Sequence, residues 1–282
     1  MKIKFVKTES AGNDFVLFDF ISEDNCRPQW KSYVPKLCSR RRGIGADGVL
    51  VLEKEPGADF KMRIFNPDGS EVDMCGNGAR CSAAYYFMKT GRNEVDFITG
   101  AGAMRAERGD DSMIRLFMPE PRDMKMNMEI KLNGKKLRGA YINTGVPHFV
   151  AYLNDIGGMS VKEAGRSIRY NESFAPEGTN ADFISVKNKS EIAVRTYERG
   201  VEDETPACGT GVTACAVVAV LKDKLSLPLN IETRGGGMMR VDFDFSPPEG
   251  LISRVYNVRL EGEAAEVFRG EIELENFAGV KC

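Results

Sequence analysis

Short runs that alternate apolar and polar side chains recur along this chain. They are VLFDFI (16–21), GVLVLE (48–53), KMRIFN (61–66), VDFIT (95–99), SMIRLFM (112–118), ADFISV (181–186), AVRTY (193–197), LNIET (229–233), MRVDFDF (239–245) and RVYNVRLEG (254–262). A period of two sends successive side chains to opposite faces, so these runs predict half-buried strands. Turn chemistry at Asn66-Pro67-Asp68-Gly69 and Asn133-Gly134 separates some of them. Two segments break the rhythm: Ala83–Met88 and Ala214–Leu221 are apolar on every side, which predicts helices enclosed in a core.

Each apolar segment follows a similar phrase. MCGNGARC holds Cys75, and ACGTGVTAC holds Cys208, an offset of 133 residues. TGAGAMR from Thr99 resembles TRGGGMMR from Thr233 at an offset of 134, and the approaches MRIFNPDGSEVDM and AVRTYERGVEDETPA are also alike. A weaker echo, GNDFVLF near Asn13 and TNADFISV near Asn180, does not keep the spacing. Paired matches at nearly constant separation predict two structurally similar halves rather than a solenoid. The expected class is α+β, with two pseudo-symmetric domains, each a mixed, mostly antiparallel sheet or barrel wrapped around one buried helix. The expected domains are 1–119 and 120–267, the terminal strand 268–282 being a candidate to complete the first. The Pro-flanked connector at Pro119–Arg122 separates them, and each half brings one cysteine to a cleft between them.

Composition narrows the partners. The chain has 282 residues, 42% hydrophobic and 28% charged, and 39 Lys plus Arg against 41 Asp plus Glu leave a formal charge of −2. That balance argues against nucleic acid or an acidic membrane as partner. The basic start lacks the apolar core of a secretory signal, and no run approaches the ~20 apolar residues needed to span a bilayer. Seven cysteines form no dense disulfide pattern, so the expectation is a reduced, cytoplasmic protein.

Cys26, Cys38, Cys81, Cys215 and Cys282 read as small buried hydrophobes. Cys75 and Cys208 differ: each precedes glycines at the expected start of a helix, where a side chain is poorly buried. There the backbone N–H groups and the helix dipole favour an anion and lower a thiol's pKa. The same N–H groups can hold a carboxylate. Two such thiols bracketing a small carboxylic acid suit removal of an α-proton on one face and return on the other, with the helix starts stabilising the developing charge. Zinc is disfavoured, since no close CxxC pair exists and the chain has a single histidine, so no metal is expected. No phosphate cradle with an associated lysine stands out, so no cofactor is expected. Another cofactor-independent two-cysteine amino-acid racemase, a redox disulfide between the two thiols, or a non-catalytic carboxylate-binding protein stays open on these residues alone.

Taken in order, SAGNDFVLFD, RRGIGADGVLVLE, MRIFNPDGSEVDMCGNGARC, NTGVPHFV, PEGTNADF and RTYERGVEDETPACGTG resemble the diaminopimelate epimerases. The resemblance implies two β/α halves, usually a homodimer. It also implies interconversion of LL- and meso-diaminopimelate without pyridoxal phosphate, on the route to lysine and peptidoglycan. By the same resemblance Cys75 and Cys208 are the base and acid pair. Gly76, Asn77, Gly209 and Thr210 offer backbone N–H groups to the carboxylate. Asn13, Asn66, Asn180, Glu198 and Arg199 hold the substrate, Glu198 and His148 standing also in the catalytic set. The chain departs from the family pattern at Val146, Gly48, Ser10-Ala11, Pro206 and the longer approach through Glu202-Asp203-Glu204.

Overall fold

The computed structural model describes residues 2–22, 29–110, 113–132, 134–246 and 254–274. Cys26, Asn133 and Cys282 lie outside them. The chain divides into two compact units: Met1–Leu116 with Gly262–Cys282, and Phe117–Glu261.

In the first unit the elements run β1 (Lys2–Ser10), β2 (Asn13–Phe20), α1 (Trp30–Cys38), β3 (Gly48–Glu53), β4 (Phe60–Phe65), β5 (Glu71–Val72), α2 (Gly76–Thr90), β6 (Glu94–Thr99), β7 (Gly102–Arg108) and β8 (Met113–Phe117). The second holds β9 (Arg122–Leu132), β10 (Lys135–Asn143), β11 (Pro147–Tyr152), α3 (Val161–Arg169), β12 (Asn180–Asn188), β13 (Glu191–Glu198), β14 (Asp203–Thr205), α4 (Gly209–Asp223), β15 (Leu229–Thr233), β16 (Met238–Phe245) and β17 (Val255–Glu263). The chain then returns to the first unit as β18 (Ala265–Glu273), antiparallel to β1.

The two units share one topology. In the first, β1–β2 is antiparallel, β2–β3 parallel, β3–β4 and β4–β5 antiparallel, β4–β6 parallel and β6–β7 antiparallel. In the second, β10–β11, β11–β12, β12–β13, β13–β14, β13–β15 and β15–β16 repeat that series in the same order. The outer place that β18 takes beside β1 is taken by β9 beside β10. Even the glycine turns agree: Thr99 Oγ1 donates to the Gly102 carbonyl (3.0 Å) and Thr233 Oγ1 to the Gly237 carbonyl (3.1 Å).

Each sheet curls around its apolar helix. α2 packs on β1, β2, β3, β4, β6, β7 and β18, and α4 on β10, β11, β12, β13, β15 and β16. This is the mixed, mostly antiparallel α+β architecture that the alternating runs predict. Enclosure is tighter around α4, where Gly211 to Val220 are all buried, than around α2, where Met88 is 46% exposed. The opposite face of each sheet carries a short helix that the alternating pattern does not reveal. α1 covers Val16, Phe18, Val49 and Val51, with Trp30 and Phe18 rings 4.8 Å apart. α3 covers Phe149, Ala151, Ala181 and Phe183. Strands β2 and β3 are therefore buried on both faces, which is why VLFDFI and GVLVLE carry so few polar residues.

Superposing the strand pairs by the face they bury sets Val16 on Phe149, Val49 on Ala181 and Phe65 on Tyr197. The weak echo between GNDFVLF and TNADFISV is not part of this repeat. Asn13 opens β2, whose counterpart is β11, whereas Asn180 opens β12, the counterpart of β3.

Helix α3 touches its sheet through Gly165, where an added Cβ would fall 2.2 Å from Tyr197 Cβ. Overfilling a packed contact typically costs ~1–3 kcal/mol. Gly165→Ala is expected to lower the urea unfolding midpoint by a destabilisation of that order. Gly158→Ala, with nothing within 4 Å of the new methyl, is the neutral control.

Candidate active site

Cys75 is the N-cap residue of α2 and Cys208 that of α4. Both keep extended backbone (φ −144° and −118°) while their carbonyls accept the first helical bonds, from Ala79 (2.9 Å) and Val212 (2.8 Å). Neither side chain caps its helix in the manner of a serine or aspartate, so the first-turn N–H groups, at Gly76, Asn77 and Gly78 and at Gly209, Thr210 and Gly211, gather at the thiol end. The third residue of each turn is a glycine that packs closely on the strands beneath. A Cβ at Gly78 would meet Leu50 at 2.8 Å and Ile64 at 3.2 Å; one at Gly211 would meet Asp182 Oδ1 at 2.5 Å and Thr196 Oγ1 at 3.1 Å.

Those contacts expose a difference. By the strand pairing, Phe15, Leu50 and Ile64 of the first unit correspond to His148, Asp182 and Thr196 of the second. One helix start rests on hydrocarbon and the other on a buried polar cluster. His148 and Asp182 are fully buried, with His148 Nδ1 2.7 Å from Asp182 Oδ2, and Thr196 Oγ1 donates to Asp182 Oδ1 at 2.7 Å. His148 Nε2 lies 3.0 Å from Thr210 Oγ1, which is 3.4 Å from Cys208 Sγ. If Nδ1–H serves Asp182, Nε2 is the acceptor, and thiol, hydroxyl and imidazole form one directed relay.

Glu198 joins this group beside Cys208 and Thr205; burial pushes its carboxyl up, against the pull of those neighbours and His148. Asn180 Nδ2 donates to the Pro147 carbonyl (2.9 Å) and its Oδ1 accepts from the Arg199 backbone N–H (2.7 Å), fixing the start of β12 to the end of β13. The Arg199 guanidinium reaches the Glu177 carbonyl at 3.3 Å.

Around Cys75 the partners are amides. Its Sγ is 4.0 Å from Asn13 Oδ1, which also accepts from Asn77 Nδ2 at 3.4 Å. Asn13 Nδ2 donates to Asp47 Oδ2 at 3.0 Å. Asn66 is exposed and its amide donates to Ser70 Oγ (3.2 Å), within a turn closed by the Gly69 N–H on the Asn66 carbonyl. Its topological counterpart, one residue beyond the Phe65–Tyr197 match, is Glu198.

Two expectations for the thiols are overturned at Cys208. It is buried, only 6% exposed, despite the glycines that follow it. Its thiol is raised well above the ordinary range, because burial, and then the charges of Glu198 and Asp182, outweigh the pull of Thr210 and the Gly211 N–H. Cys38, Cys81 and Cys215 are buried as expected, Cys81 being pushed by burial up to about 12. Gly48 has no room for a longer side chain, since a Cβ there would lie 2.8 Å from the Phe65 carbonyl oxygen. Asp182, Thr196 and Arg80 are not among the residues that motif reading singles out. Their signal is a polar residue at an inward strand position, or inside an apolar helix. Among the described residues no group of three His, Cys, Asp or Glu is arranged to hold a metal ion, and no helix is long and apolar enough to cross a membrane.

The fold is shared with solved structures of low sequence identity. A hydroxyproline epimerase from Agrobacterium vitis superposes with a TM-score of 0.68 at 15% identity over 96% of this chain and 92% of that one. A phenazine biosynthesis protein of the PhzF family from Bacillus anthracis gives 0.68 at 14% identity over 97% and 99%. At the level of sequence, the family model described as Diaminopimelate epimerase matches residues 5–122 and 140–243. The diaminopimelate epimerase of Aquifex aeolicus is 38% identical across 94% of this chain and 100% of its own length, and that of Hydrogenobaculum sp. 35% across 96% and 99%. The chain belongs to the diaminopimelate epimerase family, a family of isomerases.

Removing a negative charge beside a buried thiol favours its thiolate. Glu198→Gln is therefore expected to lower the pH midpoint of iodoacetamide alkylation at Cys208, followed by peptide mass spectrometry. A midpoint that rises or stays fixed would contradict the electrostatic assignment.

Proposed function

We propose that this chain interconverts LL- and meso-2,6-diaminopimelate, on the route to lysine and peptidoglycan. One thiolate takes the α-proton, and the electron pair left on the α-carbon is delocalised into its carboxylate. The other cysteine gives its S–H proton to the opposite face. Each turnover leaves the two sulfurs with exchanged protonation states, and the reverse reaction starts from that state. The observation that carries this reading is that one chain twice builds a buried helix whose N-cap is a cysteine. Inversion at a single carbon needs one proton-handling group for each face, and the family membership supplies the substrate class.

The α-proton of an amino acid is weakly acidic, so the site must stabilise charge as it develops. The first-turn N–H groups at Gly76, Asn77, Gly209 and Thr210 suit a carboxylate, with both helix dipoles favourable to it. Arg199 suits the distant carboxylate by forked hydrogen bonds, and Glu198 with Asn13, Asn66 and Asn180 suits the ammonium groups. His148 serves Cys208 through Thr210, as a local acceptor that can receive the thiol proton and return it. These residue roles, and action without pyridoxal phosphate, are part of the proposal.

The test is α-deuterium incorporation and stereochemistry for LL-diaminopimelate in heavy water, with reduced protein and no added cofactor. We expect deuterium in the product of the opposite α-configuration. No exchange with both thiols reduced would overturn the reading. Cys75→Ser and Cys208→Ser are each expected to slow turnover by ~10²–10⁴-fold, the usual scale for losing an acid–base group.

A further inference from the structure

In the first unit Arg80 stands out as a charged side chain with no exposed surface that the proposed chemistry does not use. Arg80 lies one turn into α2 and is fully buried. Its Nε donates to Ser10 Oγ at 3.0 Å and its Nη2 donates to Asn77 Oδ1. Nη1 has no hydrogen-bond partner, and no carboxylate is paired with the guanidinium among the described residues. Space is made for it by Gly262, where a Cβ would fall 2.9 Å from Arg80 Nε. A buried cation without a counter-ion is costly, so its place calls for a reason. The repeat sharpens the question: the matching position in α4 is Thr213, which bonds back to the Gly209 carbonyl.

A guanidinium can only donate. Facing it, Asn77 must present Oδ1, which turns its Nδ2 outward to Asn13. At the far end Asp47 can only accept, so Asn13 must give Nδ2 to it and leave Oδ1 for Asn77 and Cys75. The two amides next to the first thiol are thus pinned by Arg80 on one side and Asp47 on the other. The charged groups facing this region from neighbouring elements have their own partners. Glu9 on β1 bonds the Gly12 N–H at 2.6 Å; Asp14 and Asp47 share Arg40, and Asp14 also pairs with Lys7. Asp73, on the approach to Cys75, packs against Gly100.

We propose that Arg80 is a positioning residue for Cys75. It sets the Asn77–Asn13 amides against the thiol and supplies the buried positive charge that favours the thiolate there. The inference rests on the reading of Cys75 as a proton-transferring group and deepens it. The two thiols then sit in opposite fields, Cys75 near a buried cation and Cys208 beside the carboxylates of Glu198 and Asp182. The Asn13 oxygen acts the other way on Cys75, but a neutral amide dipole is weaker than a full charge in a site of low dielectric.

Rates of iodoacetamide alkylation at Cys75 and Cys208, resolved by peptide mass spectrometry across pH, test this without substrate. In Arg80→Met the Cys75 midpoint is expected to rise, slowing its alkylation about tenfold at neutral pH for each pH unit of displacement, while the Cys208 profile stays in place. Arg80→Lys keeps the charge and loses the fork, so it should lie between. An unchanged Cys75 midpoint in a folded Arg80→Met protein, checked by circular dichroism, overturns the proposal. The unsubstituted protein supplies a second measurement, free of any folding defect: Cys75 must titrate below Cys208, and the reverse order overturns the assignment. If the midpoints obey this order and LL-diaminopimelate shows no exchange, the proposed activity fails and the electrostatic inference stands.

Discussion

A helix with no polar face is the constraint from which the rest of this structure follows. α2 and α4 cannot lie on a sheet with one side in water, so each sheet must curl until it covers the helix on most sides. The polar feature that the two helices share is the set of unpaired N–H groups in the first turn. Cysteine and glycine occupy those first turns because both are small. Gly78 and Gly211 let the helix start press against the strands beneath, and a thiol at the N-cap sits in the direction of the helix dipole. The chemistry is placed where the core leaves an opening.

The two units repeat their backbone but not their buried charges. Where Phe15, Leu50 and Ile64 pack under α2, His148, Asp182 and Thr196 form a hydrogen-bonded cluster under α4. Where α4 has Thr213, α2 has Arg80. Duplicated topology fixes the directions of the strands and the place of the thiols, while a few inward positions are free to diverge in polarity. Those positions decide how tightly each sulfur holds its proton.

Much of this is legible in the residues. The alternating runs mark strands, the two apolar segments mark the enclosed helices, and the CGxG phrases at constant offset mark the repeat. The placement of Cys75 and Cys208 at helix starts follows from the glycines and the apolar run after each of them. What stays hidden has physical causes. α1 contains Pro35 and α3 contains Gly165, each a poor helix former, so their helices depend on the sheet face they cover. The height of the Cys208 pKa depends on Asp182 and Glu198 from other strands, and no local spacing reveals such neighbours. Arg80 reads as an ordinary surface charge until the burial of the first turns of its helix is known.

The return of the chain as β18 has a consequence for the order of synthesis. β1 gains its outer neighbour only from residues 265–273, so the first unit cannot close its sheet until those residues have left the ribosome. The second unit is continuous from Phe117 to Glu261 and can complete its own pairings earlier. During translation the N-terminal segments therefore wait with an open edge at β1, and the C-terminal unit is the first to be whole.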